Sequence, residues 1–514
     1  MNFQWGLDGE PQQMVVQNGL VVSRTKSTGP LSPFDGETID LQGFYLLPKF
    51  VDAHCHILPT GLDLGKLNLG TCRSREEVLD RVRDQHLKTP EGWLLAVHYN
   101  QTNFSDGLHL TRVELDGISS TRPIMLEHVN GHATLANSAA LQLAGVDDST
   151  PDPSGGSYER DIHGHLNGLC LEHAHEHMQR AIPMLSIEEM ASAIVAAGEK
   201  MAELGIGCAS DMMTGCIHLE QELKAYALAA QMGCPIHLRL YLQWRDVFGK
   251  RALPKERLQE LFDEANAQPT LRVAGIKIFS DGGISSATAA IYGRFLSTDP
   301  SKELATYGGR ETDGKLIYSP ERLNQMFLTA HEAGYQVSVH AIGDYATDLV
   351  MDAMAQTDEP SRHRLEHAMI LSDSQIDRMH SLGCYCTFQP EFLAALGPAY
   401  GKQLGPERAS RLIRSRSVLD AGIPLSFNSD RPIVAGNPWT GILTSSNRPA
   451  GFDPAENCTR AEAILAYTAA GSAVNGDGDV MGTLVPGSMA HFQLYKENPL
   501  TAAMPVVSHL VELA

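Results

Sequence analysis

The sequence predicts an α/β fold organised around a parallel sheet, with a small β-sandwich domain made by the two chain ends. After about residue 45, short apolar runs alternate with longer helical segments, as in successive βαβ units. Both ends instead alternate apolar and polar residues, which is typical of half-buried antiparallel strands. We therefore expect residues 1–48 and 480–514 to pair into the β-sandwich and residues 49–479 to form the α/β domain.

Periodicity and capping residues locate the elements of the α/β domain. The segments 186–204 and 319–334 are helix candidates, because each begins with a Ser that can cap the first turn ahead of a Glu. Each of these helices leads into a strand candidate. The buried strand candidates are the runs at 50–56, 207–212, 272–279, 335–344, 363–370, 384–390 and 424–430.

Charge and cysteine usage narrow the class of partner. The 514 residues include 40 Lys and Arg against 61 Asp and Glu, and the resulting charge of −21 repels nucleic acid and anionic membranes. We therefore expect a small-molecule substrate and no nucleic-acid or membrane partner. The oligomeric state is open, with a homodimer as the default because dimers are the commonest oligomers. Nine cysteines without the spacing of a disulfide framework, and a start without a secretion-signal pattern, favour a cytoplasmic protein.

The run FVDAHCH is the clearest functional motif. Alternation along a strand places His54 and His56 on the same face, where two imidazoles can bind one metal ion. A histidine on a strand is more often a hydrogen-bonded core residue, and the chain has 21 histidines. Taken alone, the motif leaves both interpretations equally open.

Polar residues at three other strand ends favour the metal interpretation. His340, His367 and Asp430 each lie at or near the carboxyl end of a predicted strand. Barrel enzymes build their sites at that end of the strands, so these side chains are expected to converge with the histidine pair. The residues therefore predict a site for a divalent metal.

Lys277 lies within the apolar run GIKIF, where its charge is costly to bury unless the amine is neutralised, paired or modified. One explanation is an ion pair with an acidic neighbour such as Asp281. The other is a role at the metal site. The residues alone favour neither explanation.

Together these motifs resemble the amidohydrolase superfamily, and within it the branch of YtcJ-like and N-substituted formamide deformylase-like hydrolases. The resemblance covers nearly the whole chain. It rests on LPKFVDAHCH, HVNGHATLANSAAL, GIKIFSDGGISSATA, VHAIGD, RLEHA, FQPEF, NSDRPIVAGNP and GTLVPGSMAHF. Two positions depart from the family pattern: Lys49 stands where Gly is usual, and His491 stands where Asp is usual.

The resemblance implies a distorted (β/α)8 barrel over residues 49–479, with His54 and His56 on the first strand. Lys277, on the fourth strand, would be a carboxylated ligand that bridges two divalent ions, whereas an unmodified lysine would leave one ion. His340, His367 and Asp430 would end strands five, six and eight. Imidazole and carboxylate ligands suit zinc, but manganese, iron or cobalt could occupy the same geometry. The region from about 90 to 170 lacks a regular period, and we expect it to be an insertion of long loops over one barrel mouth.

The resemblance also implies hydrolysis of an amide, N-acyl or N-formyl bond by metal-activated water, with Asp430 as the group that moves the proton. Substrate-binding candidates are His132, Arg431 and Gln389. A solvated loop position is an equal alternative for His132, and a structural ion pair is the favoured alternative for Arg431. Position alone makes Gln389 and Asp281 candidates for orienting the ligands.

Other functions on the same barrel stay open. A deaminase would share the histidines and the aspartate but generally works with one metal and no carboxylated lysine. An isomerase or lyase would use the metal only to stabilise an enolate. A non-catalytic scaffold would typically have lost ligands. The tract EHAHEH at 172–177 could bind a metal by itself, but it has no matched partner set elsewhere in the sequence.

Overall fold

Eight parallel strands form the largest sheet of the chain, as described by the computed structural model. Hydrogen-bonded neighbours in this sheet follow chain order from the first strand to the eighth. The backbone N–H of Asp430 donates to His54 O (2.8 Å) and that of His56 to Arg431 O (2.8 Å), which joins the end of the eighth strand to the first. The predicted barrel is confirmed. The structure describes residues 1–27, 36–89, 91–128, 133–153 and 156–513.

The barrel strands agree with the predicted runs, with one addition. The strand His237–Gln243 was not predicted, because His237, Arg239 and Gln243 interrupt its apolar pattern. All its residues are buried, and the charge of Arg239 is compensated by Asp477, whose Oδ2 lies 2.6 Å from Nε. The strands are Phe50–Cys55, Ile206–Thr214, His237–Gln243, Leu271–Phe279, Gln336–Ala341, Arg364–His367, Tyr385–Phe388 and Leu425–Phe427.

The two chain ends pair with each other. Within the described residues they form one sheet, in which Asp40–Pro48 lies between the amino-terminal strands and the antiparallel strand His491–Tyr495. Phe3, Met14 and Phe492 are among the residues of its apolar core. In sheet order the strands are His509–Glu512, His491–Tyr495, Asp40–Pro48, Asn2–Trp5, Pro11–Gln17 and Leu20–Lys26.

Lys49 and His491, the two departures from the family pattern, lie together where this sheet continues into the first barrel strand. The backbone N–H of Lys49 donates to His491 O at 3.2 Å. The Lys49 side chain is buried except for 8% of its surface, and its Nζ lies 2.5 Å from Glu512 Oε1. The lysine therefore attaches the last strand of the chain to the start of the barrel.

The chain divides into two compact units, and the second comprises Gly61–Ala193. Its described residues form a sheet of their own, so the structure differs from the long loops expected over residues 90–170. Its strands are short and separated by turns, and Gly168 has a φ of +98° at a point where a Cβ would lie 2.5 Å from Ala136 O. In sheet order the strands are Gly156–Arg160, Leu166–Glu172, Ala133–Ala136, Ile124–His128, Leu94–Tyr99 and Leu67–Asn68.

Helices connect the barrel strands and cover the second sheet. The predicted helices at 186–204 and 319–334 are found as Ile187–Glu203 and Pro320–Glu332. Within the described residues, no helix is both long and apolar enough to cross a membrane. The remaining α-helices are Ile57–Leu64, Arg75–Lys88, Arg112–Asp116, Ser138–Leu143, His173–Arg180, Leu219–Gln231, Trp244–Val247, Lys255–Asn266, Asp344–Met354, Asp373–Leu382, Glu391–Ser410, Ser415–Asp420, Pro438–Ser446, Arg460–Ala466 and Ala469–Val474.

Short additional elements complete the described chain. A small antiparallel sheet follows the fourth barrel strand and contains Ile291–Tyr292, Arg310–Asp313 and Ala305–Tyr307 in sheet order. The 3₁₀ turns are Gln101–Asn103, Pro360–Arg362 and Pro454–Glu456.

Candidate metal centre

Polar side chains from separate barrel strands meet at the carboxyl end of the barrel. Asp430 Oδ1 lies 2.9 Å from His56 Nε2 and 3.3 Å from His54 Nε2. The ring of His367 lies 4.8 Å, centroid to centroid, from that of His54, and 4.4 Å from that of His340. The structure thus brings together the four predicted histidines and the predicted aspartate.

His367 and Asp430 reach this point through unusual backbone conformations. Their φ values are +74° and +53°, in the left-handed region of backbone conformation that residues other than Gly and Asn rarely adopt. Such a conformation costs on the order of 1–3 kcal/mol and persists where the surrounding structure enforces it. At His367 the conformation has a clear consequence: both Glu366 and His367 contact the His54 ring, although neighbouring strand residues normally face opposite sides.

Hydrogen bonds fix the orientation of three of the imidazoles. His54 Nδ1 donates to the carboxylate of Glu366 (2.6 Å), and His367 Nδ1 donates to Gln389 Oε1 (2.9 Å). In both rings the proton on Nδ1 leaves Nε2 with a free lone pair, which is the form that binds a metal. In His340 the bond is reversed, because Nε2 donates to Gly282 O (3.3 Å) and Nδ1 keeps the lone pair.

Glu366 is a residue of the candidate centre that sequence reasoning missed. It is fully buried, and besides His54 it accepts hydrogen bonds from Ser338 Oγ (2.8 Å), Thr387 Oγ1 (2.6 Å) and the Arg364 guanidinium. Although burial disfavours its charge, Arg364 and His54 hold the pKa of Glu366 well below its usual value. An acid next to His367 in the buried run RLEH, with Arg two residues earlier, was the available signal.

Asp52 is a second missed residue, and it fixes the segment that carries Asp430. Its carboxylate accepts hydrogen bonds from the backbone N–H (3.0 Å) and hydroxyl (2.5 Å) of Ser429. Asp52 shares the alternating face of the first strand with His54, so the FVDAHCH pattern contained it. The first strand therefore carries the ligand candidate His54, and its Asp52 also holds in place the segment that carries Asp430.

The charges of the cluster suit a cation. Burial lowers the pKa of His367 to about 3 and that of His340 well below its usual value, so both rings are neutral near pH 7. Burial opposes the charge of Asp430, but the nearby imidazoles of His54, His56 and His367 keep its pKa well below normal. The centre thus presents a carboxylate and neutral imidazoles to one point.

Lys277 is fully buried, and its Nζ has no hydrogen-bond partner among the described residues. Burial lowers its pKa to about 8. The ion pair with Asp281 is not formed, since that carboxylate accepts the backbone N–H groups of Ile342, Gly343 and Ala290 at 2.9–3.0 Å. Asp281 lies instead 3.5 Å from His340 Nε2, so it contributes to the position of that ring.

Orphaned atoms show that the residues present fit a metal. Asp430 Oδ1, like Lys277 Nζ, is buried without an aligned hydrogen bond to any described residue, despite its closeness to two imidazole nitrogens. Lone pairs that converge without sharing a proton are the arrangement of ligands around an ion. His54, His56 and Asp430 offer ligand atoms that all lie within 4.8 Å of one another.

The three residues predicted to bind the substrate, His132, Gln389 and Arg431, lie in different surroundings or outside the described residues. His132 lies outside the described residues. Gln389 is fully buried between His367 and Asn428 Oδ1 (2.9 Å), so its amide orients a ring of the centre. The Arg431 guanidinium donates to Ala435 O, and its charge acts on the buried acids Asp52 and Glu391. Arg431 Nη1 is buried without a hydrogen-bond partner among the described residues, so substrate binding and a structural ion pair both stay predictions for this residue.

The histidine tract at 172–177 enters a helix, His173–Arg180. His175 Nδ1 lies 2.6 Å from Thr134 Oγ1, and His177 Nδ1 lies 2.5 Å from the Tyr158 hydroxyl. The two rings thus bond to different neighbours within the second unit.

Comparison with known proteins assigns the family. A family model described as the amidohydrolase family matches residues 37–512, which is almost the whole chain. The chain belongs to the amidohydrolase family. The resemblance drawn from its motifs is thereby confirmed, and the family implies a hydrolase that depends on a divalent metal.

Individual relatives are similar to this chain over most of their own length. YtcJ of Bacillus subtilis (strain 168), named as an amidohydrolase, is 29% identical over 489 residues, which cover 93% of this chain and 88% of YtcJ. The N-substituted formamide deformylase of Arthrobacter pascens is 27% identical over 514 residues, covering 96% and 91%. A metal-dependent hydrolase from Pyrococcus horikoshii OT3 has a TM-score of 0.76 at 25% identity and covers 95% of this chain and 94% of its own.

Proposed function

We propose that this protein hydrolyses a carbon–nitrogen bond of a small molecule, with N-formyl and N-acyl amines as the substrate class. The supporting observation is the ionised Asp430, whose Oδ1 faces two imidazole nitrogens without an aligned hydrogen bond. A carboxylate in this position can bind a cation and accept a proton from a reacting water. The resemblance to a formamide deformylase along the whole chain supports the bond type.

We propose His54, His56, His340, His367, Asp430 and Lys277 as the metal ligands, and zinc as the metal. A bound divalent ion would lower the pKa of a coordinated water towards neutrality and polarise the substrate carbonyl. Lys277 would bind as a carbamate: its neutral amine forms an N–C bond with CO₂ and loses a proton. The modification turns an unpartnered buried amine into an anionic oxygen ligand, which suits a centre with two ions.

Asp430 would carry the proton in this reaction. Its carboxylate accepts a proton from the water as the oxygen bonds to the carbonyl carbon, and it returns that proton to the nitrogen as the C–N bond breaks. Glu366 and Gln389 keep His54 and His367 in the required tautomer and orientation. The products are a carboxylic acid and an amine, and Asp430 ends as it began.

The proposal is tested by incubating the zinc-loaded protein with N-benzylformamide in ¹⁸O-labelled water. We expect benzylamine and formate, with the label in the formate. Release of ammonia from a compound with a primary amino group, such as adenine or cytosine, with no hydrolysis of N-benzylformamide, would indicate a deaminase. An unlabelled product would indicate an isomerase or lyase. A protein that binds no zinc after reconstitution, and that converts none of a panel of N-formyl and N-acyl amines, would be a scaffold.

Replacement of Lys277 by Met is expected to remove at least one equivalent of zinc per chain. The Met side chain fills the same space but cannot bind CO₂ or a metal in this way. Native mass spectrometry of the unsubstituted protein should show the added mass of one CO₂, which the variant lacks. Lys200→Met, at a lysine with 56% side-chain exposure, is the matched control. Equal zinc content in all three proteins would contradict a ligand role for Lys277.

We further propose that the protein acts on small molecules in the cytoplasm as a homodimer, without nucleic-acid or membrane partners. Its nine cysteines are all free, and eight of them are buried, which suits a reducing compartment.

A further inference from the structure

The candidate centre has a buried part and a partly exposed part. His54 is buried except for 1% of its surface, and Lys277 is buried completely. The side chains of His340, His56 and Asp430 instead keep exposures of 14%, 12% and 11%. A substrate therefore reaches the reacting groups from the side on which these three side chains are exposed.

Phe279 lies beside this exposed part, at the carboxyl end of the fourth barrel strand. It pairs with His340 in the parallel register, and the two rings lie 5.4 Å apart, centroid to centroid. Alternation along the strand places Phe279 on the same face as Lys277, whose Nζ lies 4.9 Å from the centroid of the phenyl ring. The ring is therefore part of the inner wall of the barrel, nearer the carboxyl end than the lysine.

The side chain of Phe279 is only partly buried, and it has no polar atom. It can neither coordinate a metal through a polar atom nor move a proton, although its neighbours are polar. Ligand sites commonly combine an apolar wall with a few polar groups that fix the orientation of the ligand. An apolar group that covers the ring also removes apolar surface from water, which favours binding. The exposed part of Phe279 therefore offers a surface for an apolar part of the substrate.

The position of Phe279 relative to Asp430 indicates which part of the substrate this is. Phe279 ends the fourth strand and Asp430 follows the eighth, and in a closed sheet of eight strands these two positions lie across the barrel from each other. In the proposed reaction Asp430 returns a proton to the nitrogen, so the nitrogen faces the eighth strand. The substituent on the carbonyl carbon then points away from Asp430, towards the fourth strand.

We propose that Phe279 is a specificity-determining residue that binds an apolar acyl group of the substrate. This inference rests on the proposed hydrolysis. It narrows the substrate class from N-formyl and N-acyl amines in general to N-acyl amines with an apolar acyl group, such as a benzoyl group. The carboxylic acid product carries the same group, so it binds against the same ring.

The test is Phe279→Ala, which removes the ring. Benzoate and acetate serve as probes, because they are acid products with an aromatic and a minimal acyl group. Their binding to zinc-loaded protein is measured by calorimetry, together with zinc content and melting temperature. The unsubstituted protein should bind benzoate more tightly than acetate. Loss of the aromatic contact should weaken benzoate binding by about 3–10-fold and leave acetate binding unchanged.

Kinetics with amides of one amine measures the acyl side alone. For N-benzylbenzamide, kcat/KM should fall by about 10-fold in Phe279→Ala, whereas for N-benzylacetamide it should be nearly unchanged. Phe279→Leu keeps an apolar side chain at the same point and should retain part of the preference for benzoate. This second variant carries the test if the alanine variant does not fold.

Phe44→Ala is the matched control. Phe44 is also partly buried and packs on a histidine ring, that of His509 at 5.9 Å, but it lies in the sheet of the chain ends. This control should bind both carboxylates like the unsubstituted protein.

Four results would each overturn the inference. They are an unchanged preference for benzoate in the Phe279 variants, no benzoate binding by the unsubstituted protein, a loss of zinc that accounts for the weaker binding, and an equal fall in kcat/KM for the two amides. Absence of amide hydrolysis would overturn the proposed function, while the carboxylate comparison would still decide whether Phe279 binds an apolar acyl group.

Discussion

Asp430→Asn is expected to lower kcat by about 10²–10⁴-fold while much of the zinc stays bound. The amide has nearly the shape of the carboxylate and keeps an oxygen that can act as a ligand, but it cannot accept the proton of the attacking water. The histidines remain in place, because Glu366 and Gln389 orient His54 and His367 independently of Asp430. The measurements are steady-state kinetics with N-benzylformamide and zinc content by mass spectrometry.

The control for this variant is Asp420→Asn, at an aspartate with 66% side-chain exposure on the helix that precedes the eighth strand. It makes the same chemical change without touching the centre, and kcat should be unaltered. Full activity of Asp430→Asn would remove this residue from the mechanism. Loss of all zinc with loss of activity would assign Asp430 a ligand role alone.

Glu366→Gln is expected to lower the free energy of unfolding by about 3–5 kcal/mol, because it leaves the fully buried Arg364 without its charged partner. The Gln amide would also turn a donor towards groups that now donate, among them Ser338 and Thr387. His54 would lose its anionic partner, so zinc affinity should fall by about 10–100-fold. Denaturant unfolding of the metal-free protein and competitive zinc titration measure the two effects separately.

A double variant separates the buried charge from the other contacts. Arg364→Met together with Glu366→Gln removes the uncompensated cation, so it should recover part of the lost stability and none of the zinc affinity. Glu203→Gln is the surface control, because that side chain is 63% exposed and pairs with Lys200 on the same helix. Unchanged stability in Glu366→Gln would contradict the view that Glu366 neutralises Arg364 inside the barrel.

Local patterns located most of the fold. Alternation identified the barrel strands that are mainly apolar, and Ser caps located two of the helices. His237–Gln243 was missed because its buried charge is compensated by Asp477, which is 238 positions away from Arg239. The second unit was missed for a related reason: strands of two to seven residues are too short to give a clear period.

The sequence by itself determined which residues can meet. His54 and His56 share a face because the side-chain period of a strand is two, and parallel strands place their carboxyl ends, with His340 and Asp430, at one edge of the sheet. Only the tertiary structure decided how these residues are used. The left-handed backbone of His367, the contact of Gln389 with that ring and the lack of a partner for Lys277 all depend on residues distant in the chain. Periodicity is a property of neighbouring residues, whereas the partner of a buried polar atom is set by packing across the whole barrel.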